Sequence, residues 1–75
     1  MKTLYFDNFV DARIVDEVKE ACEKEGAIRV SFDVIGRTRH ECLGYELISM
    51  LGADYEADIE YSSYKVEIRK KGGAK

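Results

Sequence analysis

Residues 36–52 read Gly-Arg-Thr-Arg-His-Glu-Cys-Leu-Gly-Tyr-Glu-Leu-Ile-Ser-Met-Leu-Gly. Thr38 is a favoured N-cap residue, and Glu41 follows it at the spacing of a capping box. Leu43, Leu47, Met50 and Leu51 recur at helical intervals, with Ile48 beside them. Gly52 stands where a helix end takes a left-handed residue. The spacing therefore predicts a helix bounded by Thr38 and Gly52. It divides the chain into a strand-helix-strand unit before it and a hairpin after it.

Upstream, Lys2–Phe6 reads as a short strand closed by the turn-prone pair Asp7-Asn8. Asp11 is the expected N-cap of a first helix, with Asn8 as an alternative start one turn earlier. Val10 and Val15 lie at the spacing of a hydrophobic staple. Ile14, Val15, Val18, Ala21 and Cys22 form the apolar stripe of that helix, and Gly26 ends it. Ala27–Val34 alternates Ile28, Val30, Phe32 and Val34 against Arg29, Ser31 and Asp33, a half-buried strand. A strand-helix-strand unit of this length makes parallel strands with a right-handed crossover.

Downstream, Asp54–Tyr61 and Tyr64–Lys70 also alternate. A two-residue turn at Ser62-Ser63 would pair Tyr61 with Tyr64, Glu60 with Lys65, Ile59 with Val66 and Glu56 with Arg69. Apolar then meets apolar on one face and opposite charges meet on the other, with Asp58–Glu67 the one repulsive pair. Ser-Ser suits a primed turn poorly, which leaves room for a longer loop. The expected fold is a β-α-β-α-β-β two-layer α/β (α+β) sandwich, in which a four-stranded mixed sheet carries two helices on one face. A 1-2-4-3 strand order is expected, as one domain over residues 1–71 with residues 72–75 a flexible tail.

The 75-residue length allows only one thin core. Hydrophobic residues make 45% of the chain and charged residues 36%, a globular and not a disordered balance. A formal net charge of −3 opposes generic adhesion to nucleic acid or anionic membrane. No apolar run has the length of a membrane span, and no signal-peptide pattern opens the chain. A cytoplasmic protein is expected, monomeric or a weak homodimer. Cys22 and Cys42 both neighbour apolar residues and are expected as buried, reduced thiols.

Element order and lengths resemble the TusA/SirA-like small sulfur-carrier family. The helix ending at Gly52 and the hairpin ending Val66-Glu67-Ile68-Arg69-Lys70-Lys71 are similar to the way that family closes. The resemblance implies the same fold. The family's Cys-Pro-x-Pro motif, at the start of its first helix, has no counterpart here. The matching segment is Asp11-Ala12-Arg13-Ile14, and the chain contains no proline. The resemblance thus implies at most a degenerate relative without the persulfide-forming thiol. The same order occurs in the C-terminal domain of the bacterial translation initiation factor and in the archaeal chromatin protein Alba. Gly36-Arg37 is loosely similar to the Alba loop before its second helix. Those proteins are basic, whereas this one is acidic.

Arg37, Thr38, Arg39 and His40 are the leading candidate site, for an anion or a partner. The N–H groups at a helix start accept phosphate, sulfate or carboxylate, and arginine adds bidentate geometry. Basic residues there oppose the helix dipole, a local misfit of the kind that function leaves behind. His40 is the only histidine, and the ordinary reading of it is a surface side chain. His40 and Cys42 diverge on a helix, so no metal is expected. Arg69, Lys70, Lys71 and Lys75 read as a solubilising end. Gly44 inside the helix implies close approach to the sheet or the first helix, and Tyr45 is expected as a partly exposed anchor. No catalytic triad, paired-carboxylate cleft or phosphate loop is present, and no cofactor is expected. The reading is a small non-enzymatic binding module for an unknown protein partner or an anionic group. A degenerate sulfur-carrier relative and an RNA-binding module are the alternatives. The outer sheet face, with Tyr5, Arg29, Ser31, Asp33, Glu67 and Arg69, is the second candidate surface.

Overall fold

The computed structural model describes residues 1–71. Its elements are β1 (Lys2–Phe6), α1 (Ala12–Glu25), β2 (Ala27–Phe32), α2 (Arg37–Leu51), β3 (Tyr55–Glu60) and β4 (Lys65–Lys70). One mixed sheet has the order β1-β2-β4-β3, with β1 and β2 parallel and the other pairs antiparallel. Both helices bury one stripe against it, as the period of each helix requires. Among the described residues, no helix is long and apolar enough to cross a membrane. The tail expected at 72–75, and with it Lys75, lies outside the described residues.

In α1 the sequence signals act as expected. The Asp11 carboxylate accepts the Ile14 N–H at 2.9 Å. Gly26, at φ 84°, returns its N–H to the Cys22 carbonyl at 2.8 Å. Ile14, Val15, Val18, Ala21 and Cys22 are all buried.

The start of α2 differs. Gly36, at φ 101°, turns the chain into the helix two residues before Thr38, and no side chain caps it. Thr38 thus falls inside the first turn, and the expected capping box does not form. Glu41 turns outward instead, to accept the Tyr61 hydroxyl at 2.9 Å. The buried stripe is His40, Leu43, Gly44, Leu47 and Leu51. At about 100° per residue this line runs through His40 and Gly44, which moves Met50 to the flank and leaves it exposed.

Gly44 shows why α2 needs a missing side chain. A Cβ there would lie 3.0 Å from Ile59 Cδ1, 3.2 Å from Ile59 Cγ1 and 3.3 Å from Val66 Cγ2. The helix backbone therefore rests directly on the β3–β4 hairpin.

The hairpin pairs Glu60 with Lys65, Ile59 with Val66, Ala57 with Ile68 and Glu56 with Arg69, the expected register. The strands stop at Glu60 and Lys65, however. Tyr61-Ser62-Ser63-Tyr64 is a loop, with Tyr64 at φ 54°. A primed two-residue turn would place positive φ on the serines, which they accept poorly. Strand β2 also ends early, at Phe32. Asp33 donates to the Phe6 carbonyl at 2.9 Å, and Val34 bends back to the Phe32 carbonyl at 3.0 Å. Its partner β1 has run out there.

On the outer face, Asp58 and Glu67 do stand opposite each other. They do not simply repel, because the Arg69 guanidinium lies 3.1 Å from Asp58 and 3.5 Å from Glu67, and 3.3 Å from Glu56.

Gly44→Ala should lower stability by about 1 kcal/mol. Overpacking against the rigid, fully buried Val66 costs about 1–3 kcal/mol, partly offset by about 1 kcal/mol of helix propensity. Combined with Ile59→Val, which removes the nearest methyl group, the penalty should shrink. A double-mutant cycle by urea unfolding checks this, and strict additivity would mean that Gly44 and Ile59 do not touch.

Candidate functional site

Four consecutive helical residues point about 100° apart, so Arg37, Thr38, Arg39 and His40 cannot all face one ligand. The structure distributes them accordingly. Arg37 lies over the Tyr61 ring, 5.6 Å from its centroid. Thr38 faces solvent. The Arg39 guanidinium donates to the Asn8 carbonyl at 2.8 Å and ties the β1–α1 loop to the start of α2. His40 is turned into the protein and has 0% exposure.

The buried position of His40 corrects the expectation of a surface histidine. Its Nε2 lies 3.1 Å from the Glu60 carbonyl. A carbonyl only accepts, so Nε2 carries the proton. Nδ1 is buried and has no protein partner. The ring stacks on Tyr64 at 5.3 Å with a 9° interplanar angle and meets the edge of Tyr61 at 6.3 Å. His40 thereby pins the β3–β4 loop to α2. The available sequence signal was its place on the apolar stripe, one turn before Leu43 and Gly44.

Tyr61, Glu41 and Arg37 line a shallow open groove of about 470 Å³ beside this aromatic cluster. The hydrogen bond to the Glu41 carboxylate, with some desolvation, pushes the Tyr61 phenol up to about 12. The phenol therefore stays protonated as a donor throughout the physiological range.

The first turn of α2 adjoins a second feature. The loop after β1 is tied to α2 by the Arg39–Asn8 hydrogen bond, and the segment after β2 is tied to the end of β1 by the Asp33–Phe6 hydrogen bond. They carry Phe9, 41% exposed, and Ile35, 99% exposed. This is the carboxyl end of the parallel strand pair, the end at which open α/β sheets place their ligands. The start of α2 has no side-chain cap, and the exposed Ile35 immediately precedes its N-cap Gly36.

The cysteines part company. Cys22 is buried, and its thiol donates to the Ile68 carbonyl at 3.6 Å. Burial, and then the nearby Glu23 carboxylate, pushes its thiol pKa up. Cys42 is exposed, which corrects the expectation that both are buried. It lies two residues beyond His40 and so points away from the stripe that His40 defines. Among the described residues, no group of three or more His, Cys, Asp or Glu side chains could hold a metal ion. No protein-family model, curated protein or solved structure matches this chain.

Two measurements check this arrangement. Thiol titration of the folded protein should modify Cys42 quickly and Cys22 only after denaturation; two fast thiols would mean that α1 does not pack as described. Ultraviolet titration should find Tyr61 ionising well above the ordinary tyrosine value of 10.0, and Glu41→Gln should bring it down. The folded-state value is raised, so the stability it contributes is complete below pH 10.0 and is lost as pH rises through about 12. Tyr61→Phe should therefore flatten the alkaline fall in melting temperature.

Proposed function

We propose that this chain is a small non-enzymatic binding module, which meets a macromolecular partner at the loop end of its parallel strands. The partner presents an apolar contact for Ile35 and an anionic group for the first turn of α2. The observation that carries this reading is the fully exposed Ile35 beside an uncapped helix start bracketed by Arg37 and Arg39. Covering an isoleucine removes about 1.5–3 kcal/mol of unfavourable hydration. The helix start and the Arg37 guanidinium supply direction for a carboxylate or phosphate. Burial of His40 leaves Arg37, Thr38 and Arg39 as the polar part of the surface, and Arg39 also holds the loop.

The net charge of −3 favours a protein partner over nucleic acid. The sulfur-carrier alternative draws no support from Cys22, whose thiol pKa is pushed up, near the C-terminal end of α1. A cytoplasmic setting fits two cysteines that remain thiols.

Phosphate and sulfate probe the anionic part. At an anion concentration ten times its Kd, stabilisation is about 1.4 kcal/mol, which raises the melting temperature of so small a domain by about 5 °C or more. The wild type should show this rise against chloride at matched ionic strength. Arg37→Glu, which leaves the Arg39–Asn8 bond in place, should lose most of it, and Arg37→Glu/Arg39→Glu all of it. Equal rises in all three proteins would remove the anion site from the proposal.

A further inference from the structure

His40 is 0% exposed and is committed at one nitrogen only. Nε2 donates to the Glu60 carbonyl at 3.1 Å, whereas Nδ1 is buried with no hydrogen-bond partner. The ring carries the loop of residues 61–64. It stacks on Tyr64 at 5.3 Å with a 9° interplanar angle and meets Tyr61 edge-on at 6.3 Å. Tyr64 holds φ 54°, a left-handed backbone that an aromatic residue adopts only where its surroundings enforce it. The loop conformation thus leans on a neutral His40.

The charged groups around the ring are engaged with other partners. On α2, the Glu41 carboxylate accepts the Tyr61 hydroxyl at 2.9 Å, Arg37 lies over the Tyr61 ring, and Arg39 donates to the Asn8 carbonyl. On the hairpin, the Glu60 carboxylate accepts from Ser63 at 2.8 Å and lies 3.8 Å from Arg29, and Lys65 donates to the Ser63 carbonyl. The buried residues of α1 are apolar apart from the Cys22 thiol, which donates to the Ile68 carbonyl, and those of β4 are Val66 and Ile68. The stacked face of Tyr64 attracts a cation. A charged N–H buried without an acceptor outweighs that attraction.

We infer that His40 is an acid-sensitive latch: a proton taken up at Nδ1 releases the loop of residues 61–64 from α2 while the rest of the domain stays folded. Lifting the loop removes Tyr64 from the ring face and admits water, which accepts from the new N–H. Nε2 keeps its proton in both forms, so Nδ1 alone is the sensor. The open form therefore binds one proton more than the closed form. By linkage the closed form is complete at higher pH and gives way as pH falls. Opening also takes Tyr61 away from Glu41 and Arg37, and the groove of about 470 Å³ between them loses a wall. The core beneath keeps its packing, because the contacts of Leu43, Leu47, Val66 and Ile68 involve no titrating group.

The test follows the intact chain by nuclear magnetic resonance from about pH 8 to about pH 5, the range in which an imidazole ordinarily titrates. The ring-nitrogen shifts of His40 report its own protonation. The Tyr64 ring and the amides of residues 61–64 report the loop, and the amides of α1 and β1 report the rest of the domain. Where only the open form takes the proton, the ratio of open to closed loop should rise about tenfold per pH unit of acidification. Loop signals should move together with the His40 nitrogen shifts while those of α1 and β1 stay in place. His40→Phe keeps a ring for the stack and has nothing to protonate, so its loop should not respond; the wild-type comparison stands alone if that variant does not fold. A loop that stays closed once His40 is protonated overturns the inference, and so does a His40 that stays neutral over the whole range. A loop that opens equally in His40→Phe overturns it, since a carboxylate would then be the sensor. Movement of α1 and β1 in step with the loop overturns it as well, because that is unfolding of the whole domain. No anion enters these readouts, so the latch and the anion site can fail separately.

Discussion

The close approach of α2 to the β3–β4 hairpin is the constraint on which the rest depends. Gly44 makes it possible, because any Cβ there would press on Ile59 and Val66. One turn earlier, the same short separation lets His40 reach the Glu60 carbonyl and stack on Tyr64. A histidine on a more distant helix could not do either. The loop held in this way presents Tyr61 to Glu41 and to Arg37. A missing side chain in mid-helix thus propagates to the surface groove through one buried ring. Glycine weakens a helix by about 1 kcal/mol, a modest penalty set against the packing and loop anchoring it permits.

Charge is arranged by surface and not by total. The outer sheet face binds its own charges together: Arg69 joins Glu56, Asp58 and Glu67, and Arg29 lies 3.8 Å from Glu60. Lys70 and Glu23 likewise link the hairpin to α1, and this contact lowers the Glu23 carboxyl pKa. Arg29 Nε is nevertheless buried without a hydrogen-bond partner, and Tyr5 on the same face is exposed. At the loop end, the exposed Ile35 stands beside an uncapped helix start.

Much of the fold was legible in the chain because it rests on local rules. Alternation set the strand faces, and pairing like with like set the hairpin register from Glu56–Arg69 to Glu60–Lys65. Asp11 bounded α1 through its side-chain cap and Gly26 through its left-handed backbone. The misreadings share a cause. Thr38 is a good cap, but Gly36 reached the helix first, and Glu41 found Tyr61 in a different element. Cys42 neighbours Leu43 in sequence yet points the other way on the helix. Asp58 and Glu67 repel as a pair, but Arg69 is a third party.

The sequence by itself determined the element order, both apolar stripes in outline, the hairpin register and the need for a small residue at position 44. Each follows from periodicity or from backbone conformation, which act over a few residues. Only the tertiary structure decided the rest: that His40 is buried, that Arg39 is committed to Asn8, that Tyr61 is held by Glu41, and that Cys42 is exposed while Cys22 is buried. These outcomes join residues 20 or 31 positions apart, or turn on which face of a helix meets the sheet. No local pattern encodes a partner at that distance, because its position is set by how the elements pack.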